Sequence, residues 1–215
     1  VKGLFITGTD TEVGKTHFVC EHAKLLIQQG FRVGVYKPLA SGYPREDHRS
    51  DAARLHRALG EQGANIRLEQ INPQCFLAPL APPLAARSEG RRIDETLLVQ
   101  GVEAWRNHCE LLLVEGAGGL LSPITWTMTN ADLASKLGYP IVVVAENRLG
   151  CVHQILSTVQ VAKGMNLAVD AVVLNQVRPR VDTSEDQNRE LLEAFLRRID
   201  SKIAIWEQSY APSAA

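Results

Sequence analysis

The chain has 215 residues, 45% of them hydrophobic and 22% charged, and a formal net charge of −1. Near-neutral charge removes the electrostatic footprint of a nucleic-acid or anionic-membrane binder, and no apolar run approaches the ~20 residues of a membrane span. The size suits one α/β domain, because single domains extend to about 250 residues, and residues 1–215 are read as one unit.

Strand-like sequence begins almost at Val1, without a leader pattern, and Cys20, Cys75, Cys109 and Cys151 form no Cys-x-x-Cys pair. Both features lead to the expectation of a cytoplasmic protein with reduced thiols, mostly in the core. The first apolar run, residues 3–7, predicts a strand. It leads into Gly8-Thr9-Asp10-Thr11-Glu12-Val13-Gly14-Lys15-Thr16 and then a helical pattern over 15–29. Strand, glycine-rich loop and helix are the setting in which Gly-Lys-Thr forms a phosphate cradle. Backbone N–H groups at the helix start face the anion and the helix dipole favours negative charge. Lys15 is expected to reach the terminal phosphates and Thr16 to ligate Mg²⁺. Five residues separate Gly8 from Gly14, one more than the general pattern has.

A second strand is predicted over 32–36, ending at Lys37-Pro38-Leu39-Ala40-Ser41-Gly42. A helix follows over 51–59, with Ser50 as its cap and Asp51 in its first turn. The proline-rich segment 72–90 reads as an ordered loop, and a helix is predicted over 94–108 from Asp94. The third strand, 111–114, ends at Glu115-Gly116-Ala117-Gly118-Gly119. A helix over 130–137 starts at Asn130, and strand 141–145 ends at Glu146-Asn147-Arg148. Helix 150–164, strand 170–174 ending at Asn175, helix 185–198 and strand 203–206 complete the pattern. Ser184 and Gln187 are a candidate capping box for the last helix. Gly30, Gly60 and Gly138 suit helix C-termini, and the tail after Trp206 is expected to pack loosely.

Near-continuous apolar strands alternating with helices predict a doubly wound, mostly parallel sheet with helices on both faces, of the P-loop NTPase type. In such sheets ligands bind outside the carboxyl ends of the strands. Lys37, Glu115 with its adjacent glycines, and the amides Asn147 and Asn175 therefore mark one crevice beside the phosphate loop. Lys37 reads as a phosphate or substrate contact and Glu115 as the Mg²⁺-organising acid. Asp51 has two readings: a metal ligand, or an acid held by the dipole of its own helix, worth about 0.3–1 kcal/mol. The helix opening at Gly150, Cys151 and Val152 offers free N–H groups for a carboxylate. His153 in its first turn either joins that site or faces solvent.

The assembled motifs resemble the dethiobiotin synthetase family. The matching segments are the loop 8–16 with its five-residue gap, Tyr36-Lys37-Pro38 with Ser41-Gly42, Ser50-Asp51-Ala52, Asn72-Pro73, Val114 to Gly119, Leu149-Gly150-Cys151, and Asn175. The resemblance implies an ATP-dependent ring closure. An amine of 7,8-diaminononanoate takes up CO₂ as a carbamate, ATP converts it to a carbamic-phosphoric anhydride, and the second amine closes the cyclic urea of dethiobiotin. It implies that Lys15 and Lys37 surround the carbamate and γ-phosphate, and that Thr16, Asp51 and Glu115 hold Mg²⁺. Thr11, Glu12, Ser41 and Gly118 would line the reacting end, and Asn175, with backbone near Trp206, would contact adenine. A homodimer with small-molecule partners only is implied as well. Three family features are altered here: His153 stands where Asn is common, residues 176–189 lack a Tyr, and Pro83 follows Pro79-Leu80-Ala81-Pro82 where the family has His. Two other readings compete. A glutamine-hydrolysing P-loop amidoligase needs a further domain, and a partitioning-type ATPase places a Lys where this chain has Asp10.

Overall fold

The computed structural model describes residues 1–179 and 184–210, with the backbone alone for 184–186. In chain order the elements are β1 (Lys2–Gly8), α1 (Lys15–Gln28), β2 (Val33–Tyr36), β3 (Leu39–Ser41), α2 (Asp51–Ala58), α3 (Leu68–Ile71), β4 (Gln74–Phe76), α4 (Pro82–Ser88) and α5 (Glu95–Gln100). They continue with β5 (Leu111–Gly119), α6 (Asn130–Leu137), β6 (Ile141–Glu146), α7 (Cys151–Gly164), β7 (Val169–Asn175), α8 (Ser184–Ile199) and β8 (Ala204–Gln208).

Six strands form one sheet in the order β2-β5-β1-β6-β7-β8, and every pairing is parallel. The central strands are buried almost throughout, as in Ile141–Ala145 and Leu112–Val114. That burial explains why they read as continuous apolar runs without alternation. Helix α1 packs on β1, β2 and β5, α6 on β5, and α7 on β6, β7 and α8. The expected doubly wound parallel sheet flanked by helices is the fold observed. Among the described residues no helix is long and apolar enough to cross a membrane. All four cysteines are free, and Cys20, Cys109 and Cys151 are buried.

Several boundaries differ from the sequence reading, each for a local reason. The segment 72–90 is no plain loop: β4 pairs in parallel with β3, and Pro82 and Pro83 open α4, where a fixed φ and a missing N–H suit a first helical turn. The helix expected over 94–108 stops at Gln100, and residues Gly101–Trp105 tighten into a 3₁₀ turn. Gly101 lies under the Tyr36 ring, and a Cβ there would sit 2.1 Å from the Tyr36 hydroxyl oxygen. Strand β5 runs on through its glycines to Gly119, which registers against Gly8. Strand β8 continues to Gln208, paired with Asn175, so the chain is ordered past Trp206. Helix α6 is capped by Thr129 in a capping box with Asp132, not by Asn130. The Ser184–Gln187 box rests on side chains outside the described residues.

On α1, the His22 ring stacks against Phe18 at 5.2 Å and against Trp206 at 5.3 Å. Burial in this stack lowers the His22 pKa. The unfolded chain therefore binds the proton more readily. The stabilisation from neutral His22 is full above pH 6.5 and declines as the pH falls toward the lowered folded value. Urea midpoints measured at pH 7.5 and pH 5 should differ less in His22→Phe than in the wild-type chain. An equal pH difference in both would remove His22 from the acid response.

Candidate active site

The loop after β1 carries the geometry of an anion cradle. Gly14, at φ 83°, ends the loop and caps α1 without any side-chain hydrogen bond, so the first N–H groups of the helix remain available. Glu12 also takes a positive φ, 58°, a conformation that costs a non-glycine residue energy and is tolerated where the surroundings fix it. Asn175 from β7 does part of that fixing: its Nδ2 donates to the Val13 carbonyl at 2.8 Å. A Cβ on Gly14 would lie 2.1 Å from that Nδ2, so only glycine fits between Asn175 and the loop. The Thr9 N–H anchors the loop to Val144 O at 2.9 Å. Asp10 Oδ1 accepts from the Thr11 N–H at 2.7 Å, and Lys15 Nζ bends back to donate to Asp10 O at 3.0 Å. Burial, followed by the nearby Lys37 charge, lowers the Lys15 pKa to about 8.

Beside the loop, sheet register assembles a charged cluster. Tyr36 pairs with Val114 across β2 and β5, which sets Lys37 next to Glu115. Lys37 Nζ lies 2.6 Å from Glu115 Oε1 and 2.9 Å from Asp51 Oδ2. The side chains of Lys37 and Glu115 are 5% and 1% exposed, that of Asp51 32%. Burial alone would lower the Lys37 pKa, but Asp51 and Glu115 together outweigh it and hold the ammonium well above its ordinary value. Burial opposes ionisation of Asp51 too, and Lys37 with the Thr16 hydroxyl reverses the balance, so its pKa is lowered.

Thr16 Oγ1 is 2.8 Å from both Asp51 Oδ1 and Glu115 Oε1. One hydroxyl proton serves one of these carboxylates at a time. Glu115 Oε2 is buried with no hydrogen-bond partner among the described residues. Two carboxylates, one of them with an unpartnered oxygen, and a hydroxyl form an all-oxygen donor set that fits a hard divalent cation such as Mg²⁺.

These groups line one cleft of about 410 Å³. Of the residues singled out from sequence, the structure brings Thr11, Glu12, Gly14, Lys15, Thr16, Lys37, Ser41, Asp51, Glu115 and Gly118 together there. Gly8 lies beneath the loop, where a Cβ would meet Asp10 O at 2.6 Å. Val13 and Asn175 are buried behind it, and Asn175 Oδ1 has no partner among the described residues. Gly150, Cys151, Val152 and His153 do not line this cleft. Gly150, at φ 91°, caps α7 without a side-chain hydrogen bond, Cys151 is buried, Val152 half-buried and His153 exposed.

Sequence reasoning passed over three supporting residues. Asn72 is fully buried and its Nδ2 donates to Lys37 O at 2.7 Å, fixing the backbone behind the lysine. Asn130, read as a helix start, instead donates to Ala117 O and Gly119 O at 2.7 and 2.8 Å and accepts from the Ala117 N–H, which pins the glycine loop after Glu115. Arg54 lines the cleft one helical turn after Asp51. Asn72 was visible only as part of the Asn72-Pro73 family segment and Asn130 only as a helix start, neither of which announces its hydrogen bonds, while Arg54 had the signal of its spacing of three from Asp51 on one helix face.

Comparison with known proteins bears on this arrangement. A family model described as an AAA domain matches residues 2–201. ATP-dependent dethiobiotin synthetases from two Anaeromyxobacter strains are similar over nearly the whole chain. That of A. dehalogenans strain 2CP-C is 38% identical over 98% of this chain and 93% of its own length. That of Anaeromyxobacter sp. strain Fw109-5 is 44% identical over 87% and 82%. Among solved structures, the hydrogenase maturation factor HypB of Archaeoglobus fulgidus superposes with a TM-score of 0.58 at 17% identity, covering 97% of this chain and 81% of that one. The pNOB8 ParA protein gives a TM-score of 0.58 at 12% identity over 100% and 88%. At such identities the structural matches speak for the fold alone.

The charge cluster makes a prediction independent of any ligand. Removing one partner of a buried ion pair leaves an uncompensated charge and costs roughly 3–5 kcal/mol. Lys37→Met should therefore lower the urea midpoint sharply, and adding Glu115→Gln to it should restore part of the loss. A double variant no more stable than Lys37→Met would show that the two side chains are not energetically coupled.

Proposed function

The chain belongs to the ATP-dependent dethiobiotin synthetases, and on that premise we propose that its cleft closes 7,8-diaminononanoate and CO₂ into the cyclic urea of dethiobiotin at the expense of ATP, in biotin biosynthesis. The observation that carries this reading is the convergence of Lys15, Thr16, Lys37, Asp51 and Glu115 in one cleft at the carboxyl ends of β1, β2 and β5. The reaction needs no covalent nucleophile. It needs reactants held in line and negative charge neutralised as it spreads over the transferring phosphoryl group.

The free N–H groups of the 8–16 loop and of the first turn of α1 hold the phosphates. Lys15 swings from Asp10 O to the terminal phosphates. Lys37, kept protonated by its two acids, presents its ammonium to the carbamate and γ-phosphate oxygens. Thr11, Glu12, Ser41 and Gly118 position the two amines. The buried amide of Asn175, its Oδ1 unpartnered among the described residues, faces the base. Thr16, Asp51 and Glu115 hold Mg²⁺, which when bound supplies positive charge to the phosphate oxygens. The α7 N-terminus at Gly150, Cys151 and Val152, flanked by Arg148 and His153, takes the substrate carboxylate.

The protein acts in the cytoplasm as a homodimer on small molecules, without nucleic acid or membrane. Exposed Leu80, Leu121 and Leu149 support the dimer reading. Each is next to a proposed substrate group: Leu80 O accepts the Ser41 hydroxyl at 2.7 Å, and Leu121 and Leu149 lie close in sequence to Gly118 and Gly150.

ATP turnover should depend jointly on the diamine and bicarbonate, with dethiobiotin as product; turnover indifferent to the diamine would sink the assignment. Lys15→Gln should keep the fold and lose on the order of 10²–10³ in kcat, the cost of one preorganised charge-stabilising contact. Folded Lys15→Gln with near wild-type kcat would remove Lys15 from the phosphates. Glu115→Gln and Asp51→Asn should each raise the Mg²⁺ concentration for half-maximal rate, since each deletes a charged oxygen ligand. An unchanged requirement in Asp51→Asn alone would leave Asp51 as a partner of Lys37 only.

A further inference from the structure

Three cations line the cleft, and two are already engaged. Lys37 is held by two carboxylates, and Lys15 donates to a backbone carbonyl. Arg54 is the third. It sits on α2 three residues after Asp51, half-buried, and shares the cleft wall with Lys15, Thr16 and His17. Its charge acts on Asp51 and on His17. Yet no hydrogen bond or ion pair engages its guanidinium among the described residues. Its neighbours on the same stretch differ. Arg45 donates to Asn72 O, Arg49 to Asp47, and Arg57 to His48 O. Asp51, the acid nearest in sequence, is turned to Lys37 and Thr16. Arg54 therefore brings five N–H donors and a permanent charge to the cleft with no acceptor for them among the described residues.

We propose that Arg54 is a nucleotide-binding residue, contacting the polyphosphate beyond the α-phosphate from the α2 wall of the cleft. The proposal rests on the reading of the cleft as an ATP site. Its physical basis is charge and geometry. The cleft already holds Glu12, Asp51 and Glu115, so a polyphosphate entering it needs a cation not cancelled by those acids. A guanidinium fork matches two phosphate oxygens at once, which a lysine ammonium does not. Helix α2 fixes the side chain's origin, because Ser50 caps it through the Ala53 N–H at 3.1 Å and itself donates to Arg45 O at 2.6 Å. The same short helix thus presents Asp51 and, one turn later, Arg54 to a single ligand.

The test is calorimetric binding of ATP, ADP and AMP, with MgCl₂ present, to the wild-type chain, Arg54→Gln and Arg54→Lys. The Kd of ATP and of ADP should rise about tenfold or more in Arg54→Gln, the loss of a charged hydrogen bond. AMP should bind within about twofold of wild type, because the lost contact lies beyond its single phosphate. Arg54→Lys should fall between, keeping the charge and losing the fork. An unchanged ATP affinity in folded Arg54→Gln overturns the proposal. Equal losses for all three nucleotides overturn it as well, since a distorted fold weakens every ligand alike. Should Arg54→Gln fail to fold, Arg54→Met, which keeps an aliphatic stem of similar length, answers the same question. A wild-type chain that binds ATP but does not consume it with diamine and bicarbonate would refute the synthetase reading and leave the Arg54 result standing. A wild-type chain that binds no nucleotide would overturn both.

Discussion

Two carboxylates and one lysine, brought together where three parallel strands end, are the constraint around which this molecule is arranged. An ion pair as deeply buried as Lys37 and Glu115 is costly unless each charge keeps its partner. The parallel register of β2, β5 and β1 puts Lys37, just past the end of β2, beside Glu115 in the middle of β5, with the phosphate loop following β1 on the other side. Asp51 then reaches across from α2 to complete the lysine's neutralisation. The backbone behind each group is itself tied down, by Asn72 under Lys37 and Asn130 around the loop after Glu115.

This arrangement leaves the cleft deliberately incomplete on one side. Glu115 Oε2 has no partner among the described residues, and the Thr16 hydroxyl is shared between two acids. The uncapped start of α1 adds free N–H donors. Unsatisfied acceptors and unsatisfied donors meet within one small volume, which is the electrostatic preparation a Mg²⁺–polyphosphate ligand requires. Lys15 Nζ rests on a single backbone carbonyl, Asp10 O, at the edge of this volume.

Backbone strain is concentrated at the same place. Glu12 and Gly14 both take positive φ within the loop, and Asn175, from the far side of β6, holds that shape through Val13. Asn175 therefore has a structural duty in the loop. The altered family positions, at His153, around Pro83 and in the Tyr-free segment 176–189, lie outside the phosphate loop.

The sequence alone determined the strand order of chemistry along the chain. A Gly-rich loop after an apolar run, Lys37 and Glu115 each directly after later runs, and alternating helices were enough to give the parallel sheet and the crevice that holds both side chains, whereas Asn147 and Asn175, read as lining the same crevice, do not line the cleft. Those features were legible because burial on both faces imposes unbroken apolarity, and because ligand groups must follow strand ends. Asp51 stayed ambiguous, since an acid in a first helical turn is favoured by the dipole with or without a ligand. Only the tertiary structure shows what Asp51 touches, placing its Oδ2 2.9 Å from Lys37 Nζ and its Oδ1 2.8 Å from the Thr16 hydroxyl. It also decided the pairing of β3 with β4, the roles of Asn72 and Asn130, and the open guanidinium of Arg54. Each of these depends on contacts between segments distant in sequence, and no local pattern of residues carries that information.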